Sequence, residues 1–258
     1  APCPRCMSAL VSIDIGGTFT DAVVVRGSDL SKGKARTTTH DLSIGFVNAV
    51  TEAARAHDLT LDEVLAEAEF VKYSTTVGIN ALIERAGPRV GLITTRGQEE
   101  TLHVGRSRNW ADGMPHEVQK DRTRARRPAD LVPRTLRVGV RERIDCVGEV
   151  VMPLTREDVI ERVDYLINQG VQAIAVCLTW SFMNPVHERM IRAIVEELYP
   201  ETYLGRVPVL LSSDVAPKLD EYRRTVTTVL AAFLATATEE HVLDITDRLA
   251  RHGYRRPL

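Results

Sequence analysis

Near the start of the chain, apolar residues fall in two short runs on either side of a glycine pair, residues 9–13 and 22–25, which predicts a leading β-hairpin. A third strand is expected at 35–39. Phe46, Val47, Val50, Ala53 and Ala54 then recur at helical spacing. Thr60 and Glu63 have the spacing of a capping box, in which hydroxyl and carboxylate each satisfy the other residue's backbone amide, so a helix starts there. A buried strand follows at 70–73 and a helix at 76–86, which Gly87 and Pro88 stop. A strand at 90–94 and a short helix at 97–104 complete this half.

Periodicity fades over 105–135, a stretch rich in Arg and Pro. So long an irregular segment inside a compact domain is usually functional or an interface arm. Beyond it, 136–144 and 149–152 predict a second hairpin around Val147-Gly148, and Thr155 caps a helix that ends at Gly170. Residues 173–178 are a continuous apolar run, the pattern of a strand buried on both faces. Asn184 and Pro185 open a helix to about Leu198, as N-cap and N1. A last strand is expected at 207–211, and 217–252 is almost wholly helical until Gly253. A leading hairpin, then strands alternating with helices, predicts an α/β fold with a mixed sheet.

With 258 residues, 44% of them hydrophobic, the chain has material for one large or two small domains. A net charge of −2 provides no field to hold a phosphate backbone, so nucleic acid is not an expected partner. No apolar run approaches the ~20 residues a spanning helix needs. Residues 1–6 have no apolar signal core. These features, with four cysteines, too few for a disulfide framework, fit a cytoplasmic protein without membrane partners.

Candidate chemistry concentrates in the first hairpin. Asp14-Ile15-Gly16-Gly17-Thr18-Phe19-Thr20-Asp21 places two glycines where a turn of positive φ lets backbone amides converge on an anion. Thr18 and Thr20 add hydroxyls. Asp14, at the end of the first strand, is placed to hold Mg²⁺ through water, because Mg²⁺ keeps much of its hydration shell. Asp21 orients the turn or assists the metal. The plain alternative is an ordinary Gly-Gly hairpin corner, but the full string near the N-terminus favours a phosphate loop. Neither G-x-x-x-x-G-K-[ST] nor G-x-G-x-x-G after a strand is present.

Other features carry two readings each. Cys3-Pro4-Arg5-Cys6 has the spacing of half a zinc site, or is a tail; Cys146 and Cys177 lie far away, and Cys177 reads as a buried small hydrophobe. The basic run 120–127 is a solvated loop or an arm for an acidic partner. Arg106 and Arg108 suit an anion clamp or surface ion pairs. His103 is a general base or a structural hydrogen-bonding group. His187 has no second histidine at metal-ligand spacing and receives no role. Glu142, Glu221, Arg223 and Arg224 fit structural ion pairs, and Thr225, Thr227 and Thr228 mark a helix face that meets backbone or another subunit closely.

The string Asp14–Asp21 resembles the opening phosphate motif of the hydantoinase A/5-oxoprolinase/acetone carboxylase family. Tyr73-Ser74-Thr75-Thr76-Val77-Gly78-Ile79-Asn80-Ala81-Leu82-Ile83-Glu84-Arg85 resembles its H-G-T-T-x-x-x-N-A-L-x-E-R, with Tyr and Ser in place of His and Gly. Gly91–Gly97, Gly105-Arg106, Glu142-Arg143-Ile144, Ser212–Val215 and Glu221–Thr225 resemble further family segments. The resemblance implies an actin-like (ribonuclease H-like) ATPase half. It divides the chain into a tail at 1–8, an N-terminal-type domain at 9–180 and the start of the family core at 181–258.

It also implies ATP and Mg²⁺ as cofactors and phosphoryl transfer to an amide or ketone oxygen. Asp14 and Arg106 would be catalytic, and Gly16, Gly17, Thr18, Phe19, Thr20, Asp21, Thr75 and Thr76 would bind the nucleotide. Family members continue past the position of Leu258 into a second glycine-rich loop and an adenosine pocket. The expected partners are therefore other subunits that supply this second half. The expected activity is that of a subunit of an ATP-dependent ketone carboxylase of the acetone or acetophenone type. A subunit of a cyclic-amide hydrolase and a non-catalytic scaffold are the alternatives.

Overall fold

The structure is a computed structural model. It describes residues 8–38, 41–105, 113–121, 123, 129–200 and 207–256, with the backbone alone at 236, 237 and 240. The chain forms two compact units, Ala1–Ala86 with Ala237–Leu258, and Gly87–Thr236.

In the first unit, β1 (Ala9–Ile15), β2 (Phe19–Arg26) and β3 (Asp29–Arg36) form a meander, and β4 (Ala68–Thr75) lies parallel to β1 on its other side. The sheet order is β3-β2-β1-β4, so the sheet is mixed as the sequence predicts. Strand alternation is strict in β1: Val11, Ile13 and Ile15 are buried while Ser12 and Asp14 face out. Each such buried side chain contributes about 1.5–3 kcal/mol relative to an exposed one. Helix α1 (Leu42–Arg55) lays Phe46, Ala49, Val50 and Ala53 over this face. Helix α2 (Leu61–Glu67) opens with the expected capping box: Thr60 N–H donates to Glu63 Oε2 (2.8 Å) and Glu63 N–H to Thr60 Oγ1 (3.3 Å).

The expected strand at 35–39 is instead β3, Asp29–Arg36. Its inward positions are Ser31, Gly33 and Ala35, too small to register as an apolar run. The small size has a packing cause. A Cβ on Gly33 would lie 2.0 Å from the Ala49 carbonyl oxygen, so α1 rests directly on the strand backbone.

The last part of the chain returns to this unit. Ile245, Leu249 and Tyr254 join its core, and the Tyr254 hydroxyl accepts from Val71 N–H on β4 at 3.2 Å. Arg248 bonds Asp41, the N-cap of α1, at 2.6 Å. These residues belong to or follow the C-terminal helix Glu221–Arg251, which Gly253 (φ 90°) ends.

Helix α3 (Val77–Glu84) leaves β4 through a corner at Thr76. In the second unit, β5 (Val90–Thr95), β6 (Arg137–Val140), β9 (Ala173–Cys177) and β10 (Val209–Leu211) form a parallel sheet of order β10-β9-β5-β6. Short helices α4 (Thr101–Val104) and α5 (His116–Lys120) precede β6. Only Arg143-Ile144 (β7) pairs with β8 (Val150–Met152). The predicted second hairpin is thus divided, because 137–140 finds a parallel partner in β5 rather than its neighbour in sequence. Helices α6 (Arg156–Asn168) and α7 (Val186–Leu198) complete the unit, with Pro185 rather than Asn184 at the N-cap of α7. Asn184 Oδ1 accepts from Val186 N–H at 3.1 Å.

Candidate functional site

The carboxyl ends of β1 and β4 lie side by side, and the chain turns at each. After β1 it passes through Gly16-Gly17-Thr18 into β2, closed by Gly16 N–H donating to the Phe19 carbonyl at 3.0 Å. Thr37, just past the end of β3, braces the turn: its amide donates to Thr18 O (3.0 Å) and its hydroxyl to Gly16 O (2.8 Å). After β4 the chain turns into α3, with Thr76 N–H donating to Ile15 O at 3.1 Å. The Thr75 and Thr76 hydroxyls both reach the same carbonyl at 3.4 Å, so they fasten the start of α3 to the end of β1.

Neither Gly16 nor Gly17 has a positive φ, contrary to the expectation from the sequence. Space is what they supply. A Cβ on Gly16 would lie 3.0 Å from Phe19 O, and one on Gly17 would lie 3.3 Å from Asn80 Nδ2. The turn therefore leaves a shallow cradle that side chains would fill.

Asp14 and Asp21 are cross-strand partners on the solvent face of the sheet. Ser74 is the partner of Asp14 across the parallel pair, and its hydroxyl donates to Asp14 Oδ1 at 2.8 Å. Asp21 accepts from Lys34 Nζ at 2.9 Å, and the same ammonium stands 4.8 Å from the centre of the exposed Phe19 ring. Thr18 is exposed at the turn. Thr20 is a correction: its side chain is fully buried and its hydroxyl is shared with Thr37 at 3.1 Å, so it is not a donor at the open face.

Tyr73, standing where the family motif has His, faces the core side, beside Ile13. It hydrogen-bonds His241 of the C-terminal helix, and burial pushes the tyrosine hydroxyl up and the imidazole down from their ordinary pKa values. Tyr73 and Ser74 thus point to opposite faces, one structural and one beside Asp14.

The donor set around Asp14 is one carboxylate and a hydroxyl. That suits an ion bound largely through its own water, as Mg²⁺ is, and not a protein cage. Among the described residues no group of three or more His, Cys, Asp or Glu is arranged to hold a metal. Arg106, Cys3 and Cys6 lie outside the described residues, as do Arg108 and the arginines of the basic run. Ser74 and Asn80 were not assigned by the sequence reading. The signal was available, since Asn80 stands four residues after Thr76 and so shares its helix face.

In the second unit, His103 Nδ1 lies 2.8 Å from Asp130, which also pairs with the buried Arg137. Arg137 further bonds Glu100 (3.2 Å) and Val132 O (2.9 Å). Glu100, His103, Asp130 and Arg137 line a cleft of about 400 Å³. Burial would raise the Asp130 pKa, but hydrogen bonds and positive charge from His103 and Arg137 prevail and hold it below the usual carboxylate range.

Glu142 and His187 form a buried staple. The Glu142 carboxylate takes Thr95 Oγ1 on one oxygen and His187 Nδ1 (2.8 Å) on the other, while Leu154 N–H donates to His187 Nε2 (3.3 Å). The acceptor role of Nε2 fixes the proton on Nδ1. Glu188 accepts from Leu178 N–H, Ser212 Oγ and Ser213 N–H, and fully buried Arg224 donates to Ser181, Ser212 and Leu178 O. Cys177 is buried, as expected, and burial raises its thiol pKa.

The model of the hydantoinase/oxoprolinase N-terminal region matches residues 10–199. The chain belongs to this family. Among hydantoinase/oxoprolinase relatives, it is 43% identical over 244 residues to the acetophenone carboxylase gamma subunit of Aromatoleum aromaticum, across 95% of this chain and 33% of that one. It is 33% identical to the caprolactamase subunit alpha of Pseudomonas jessenii, across 96% and 34%. The solved structure of nucleotide-free acetone carboxylase, from a study of ATP-dependent acetone carboxylation, superposes with a TM-score of 0.88 at 31% identity, across 96% of this chain and 35% of that one. The ATP-dependent caprolactamase of Pseudomonas jessenii gives 0.83 at 33%, across 96% and 34%. The chain spans about a third of the length of the curated relatives it matches. No helix among the described residues is long and apolar enough to cross a membrane.

Proposed function

We propose that this chain contributes the first phosphate loop of an actin-like ATPase within an ATP-dependent ketone carboxylase of the acetone or acetophenone type. The observation that carries the reading is the convergence of the Gly16-Gly17-Thr18 turn, the Thr75-Thr76 corner and the Asp14 carboxylate at the adjoining ends of two parallel strands. The 43% identity to a subunit of a ketone carboxylase supports the choice of reaction. Bound ATP would supply the phosphoryl group that activates a carbonyl oxygen. The chain's own part is to seat phosphate oxygens against the cradle and to hold hydrated Mg²⁺ at Asp14, which is positioning and charge neutralisation rather than covalent catalysis.

The complementary half of the nucleotide site is assigned to further polypeptide, in the same chain or in another subunit. A second reading, cleavage of a cyclic amide, is favoured by the 0.83 superposition on an ATP-dependent caprolactamase. Both readings share the phosphate loop and differ only in the acceptor.

The test is titration of ATP·Mg²⁺ into this chain and into the native assembly that contains it, with wild type and Asp14→Ala. Binding by the assembly that Asp14→Ala removes, with loss of turnover, supports the reading. Absence of binding in both preparations leaves a scaffold, and unchanged turnover in Asp14→Ala shows that another loop is the active one. Bicarbonate-dependent against bicarbonate-independent ATP consumption separates the carboxylase from the amide hydrolase.

A further inference from the structure

We infer that Asn80 is a phosphate-binding residue, its carboxamide nitrogen donating to a phosphate oxygen seated in the Gly16-Gly17 cradle. This rests on the phosphate-loop reading above and adds a residue on a different element to that site.

Most side-chain donors around the turn already have partners. The Thr20 hydroxyl is buried against Thr37. Thr75 and Thr76 are committed to Ile15 O, Ser74 to Asp14, and Lys34 to Asp21. Asn80 has two N–H donors. Neither they nor its carbonyl make a hydrogen bond among the described residues. Thr18 is the other side chain of the turn in that condition. A half-buried carboxamide without partners is normally paired to a ligand or to water.

Its backbone is anchored to the site. Thr76 N–H is held by Ile15 O at 3.1 Å, and Asn80 N–H by Thr76 O at 2.9 Å. One helical turn therefore links the end of β1 to Asn80. From that anchor the flexible side chain carries its nitrogen to 3.3 Å from the position a Cβ on Gly17 would take. The glycine keeps the space in front of Asn80 clear. An anion there meets the backbone of the turn on one side and Asn80 on the other. A charge-assisted hydrogen bond of this kind is stronger than a neutral one.

The ligand chemistry is a phosphate oxygen, whether terminal on a nucleotide or free. In the native assembly, Asn80→Asp keeps the shape and one acceptor but removes the donor and adds negative charge. Asn80→Ala removes the group. Calorimetric titrations with ATP·Mg²⁺, ADP·Mg²⁺ and inorganic phosphate are compared with wild type and Asp14→Ala. The expected result is affinity for ATP·Mg²⁺ lowered by at least about tenfold in Asn80→Asp and about fivefold in Asn80→Ala, with the thermal midpoint unchanged. A loss confined to ATP places the contact on the terminal phosphate, and a loss extending to ADP places it further in.

Wild-type affinity in both Asn80 variants overturns the inference while leaving the phosphate loop standing, provided Asp14→Ala weakens binding. Wild-type affinity in Asn80→Asp alone also overturns it, because an acceptor then faces the turn. If wild type binds none of the three probes, the phosphate-loop reading and this inference fall together. Should Asn80→Asp fail to fold, Asn80→Ala decides between the same outcomes.

Discussion

Ser74 donates its hydroxyl to Asp14 Oδ1 at 2.8 Å, across the register of a parallel strand pair. Asp14 is exposed, and among the described residues the bond leaves its other carboxylate oxygen without a hydrogen-bond partner. It also restricts the carboxylate's rotation, which an isolated aspartate at a strand end would not resist. Ser74 stands where the family motif carries glycine, so this hydroxyl is an added support for the carboxylate.

Ser74→Ala should weaken the Mg²⁺ dependence of nucleotide binding by about fivefold, roughly 1 kcal/mol for an exposed hydrogen bond to a charged group. Ser74→Thr should restore most of it. Magnesium titrations at fixed ATP check this, and identical midpoints for Ser74→Ala and wild type would remove Ser74 from the site.

The buried staple in the second unit predicts stability rather than activity. His187→Ala leaves the Glu142 carboxylate without its imidazole partner in a site closed to water, and leaves Leu154 N–H without an acceptor. The expected loss is about 3 kcal/mol, measured as a shift of the denaturant midpoint at unchanged slope. Nucleotide affinity of the folded fraction should not change.

Asp130 sets an acid limit. Its folded pKa lies below its ordinary 3.8, because His103 and Arg137 outweigh the effect of burial. A carboxylate depressed in this way contributes stability that is fully present above 3.8 and is lost as pH falls through the lower folded value. Asp130→Asn should therefore be less stable than wild type at pH 7, and the gap should close progressively below about pH 4. Thermal midpoints across pH 3–7 check it. A gap that stays constant over that range would show that Asp130 acts through shape alone.

The parts of the fold that local pattern controls were legible in the sequence. The alternation of Val11, Ile13 and Ile15, the capping box at Thr60 and Glu63, and the apolar run of β9 each produced the expected element. What escaped depends on distant partners. Ser31, Gly33 and Ala35 make a strand because α1 presses on them, and 137–140 joins β5 because the parallel sheet needs an edge there.

At the candidate site, the string Asp14–Asp21 was visible, yet the direction of Thr20 was misread. Ala22 and Val24 point inward, so a period of two already turns Thr20 inward as well. The same counting from Val71 turns Tyr73 inward and Ser74 outward. The partners of Glu142, by contrast, come from two separate segments, and no spacing in the sequence brings Thr95 and His187 to it.

The glycines of the turn separate folding from binding. At Gly16 a Cβ would lie 3.0 Å from a backbone oxygen of the same turn, which cannot move without opening the hairpin. At Gly17 the neighbour is the tip of a flexible side chain, at 3.3 Å, which can swing away. Neither residue needs positive φ, so alanine introduces no backbone strain at either. Gly17→Ala should then fold with a thermal midpoint within about 2 °C of wild type, since a cost of a few tenths of a kcal/mol shifts it little. Its methyl group nevertheless occupies the cradle, and nucleotide affinity should fall by at least about tenfold, as expected when a close backbone approach to phosphate is blocked. Gly16→Ala should lose both stability and binding. Calorimetric unfolding beside ATP titration distinguishes the two variants. Wild-type affinity in a folded Gly17→Ala would show that the phosphate does not approach the turn from the Asn80 side.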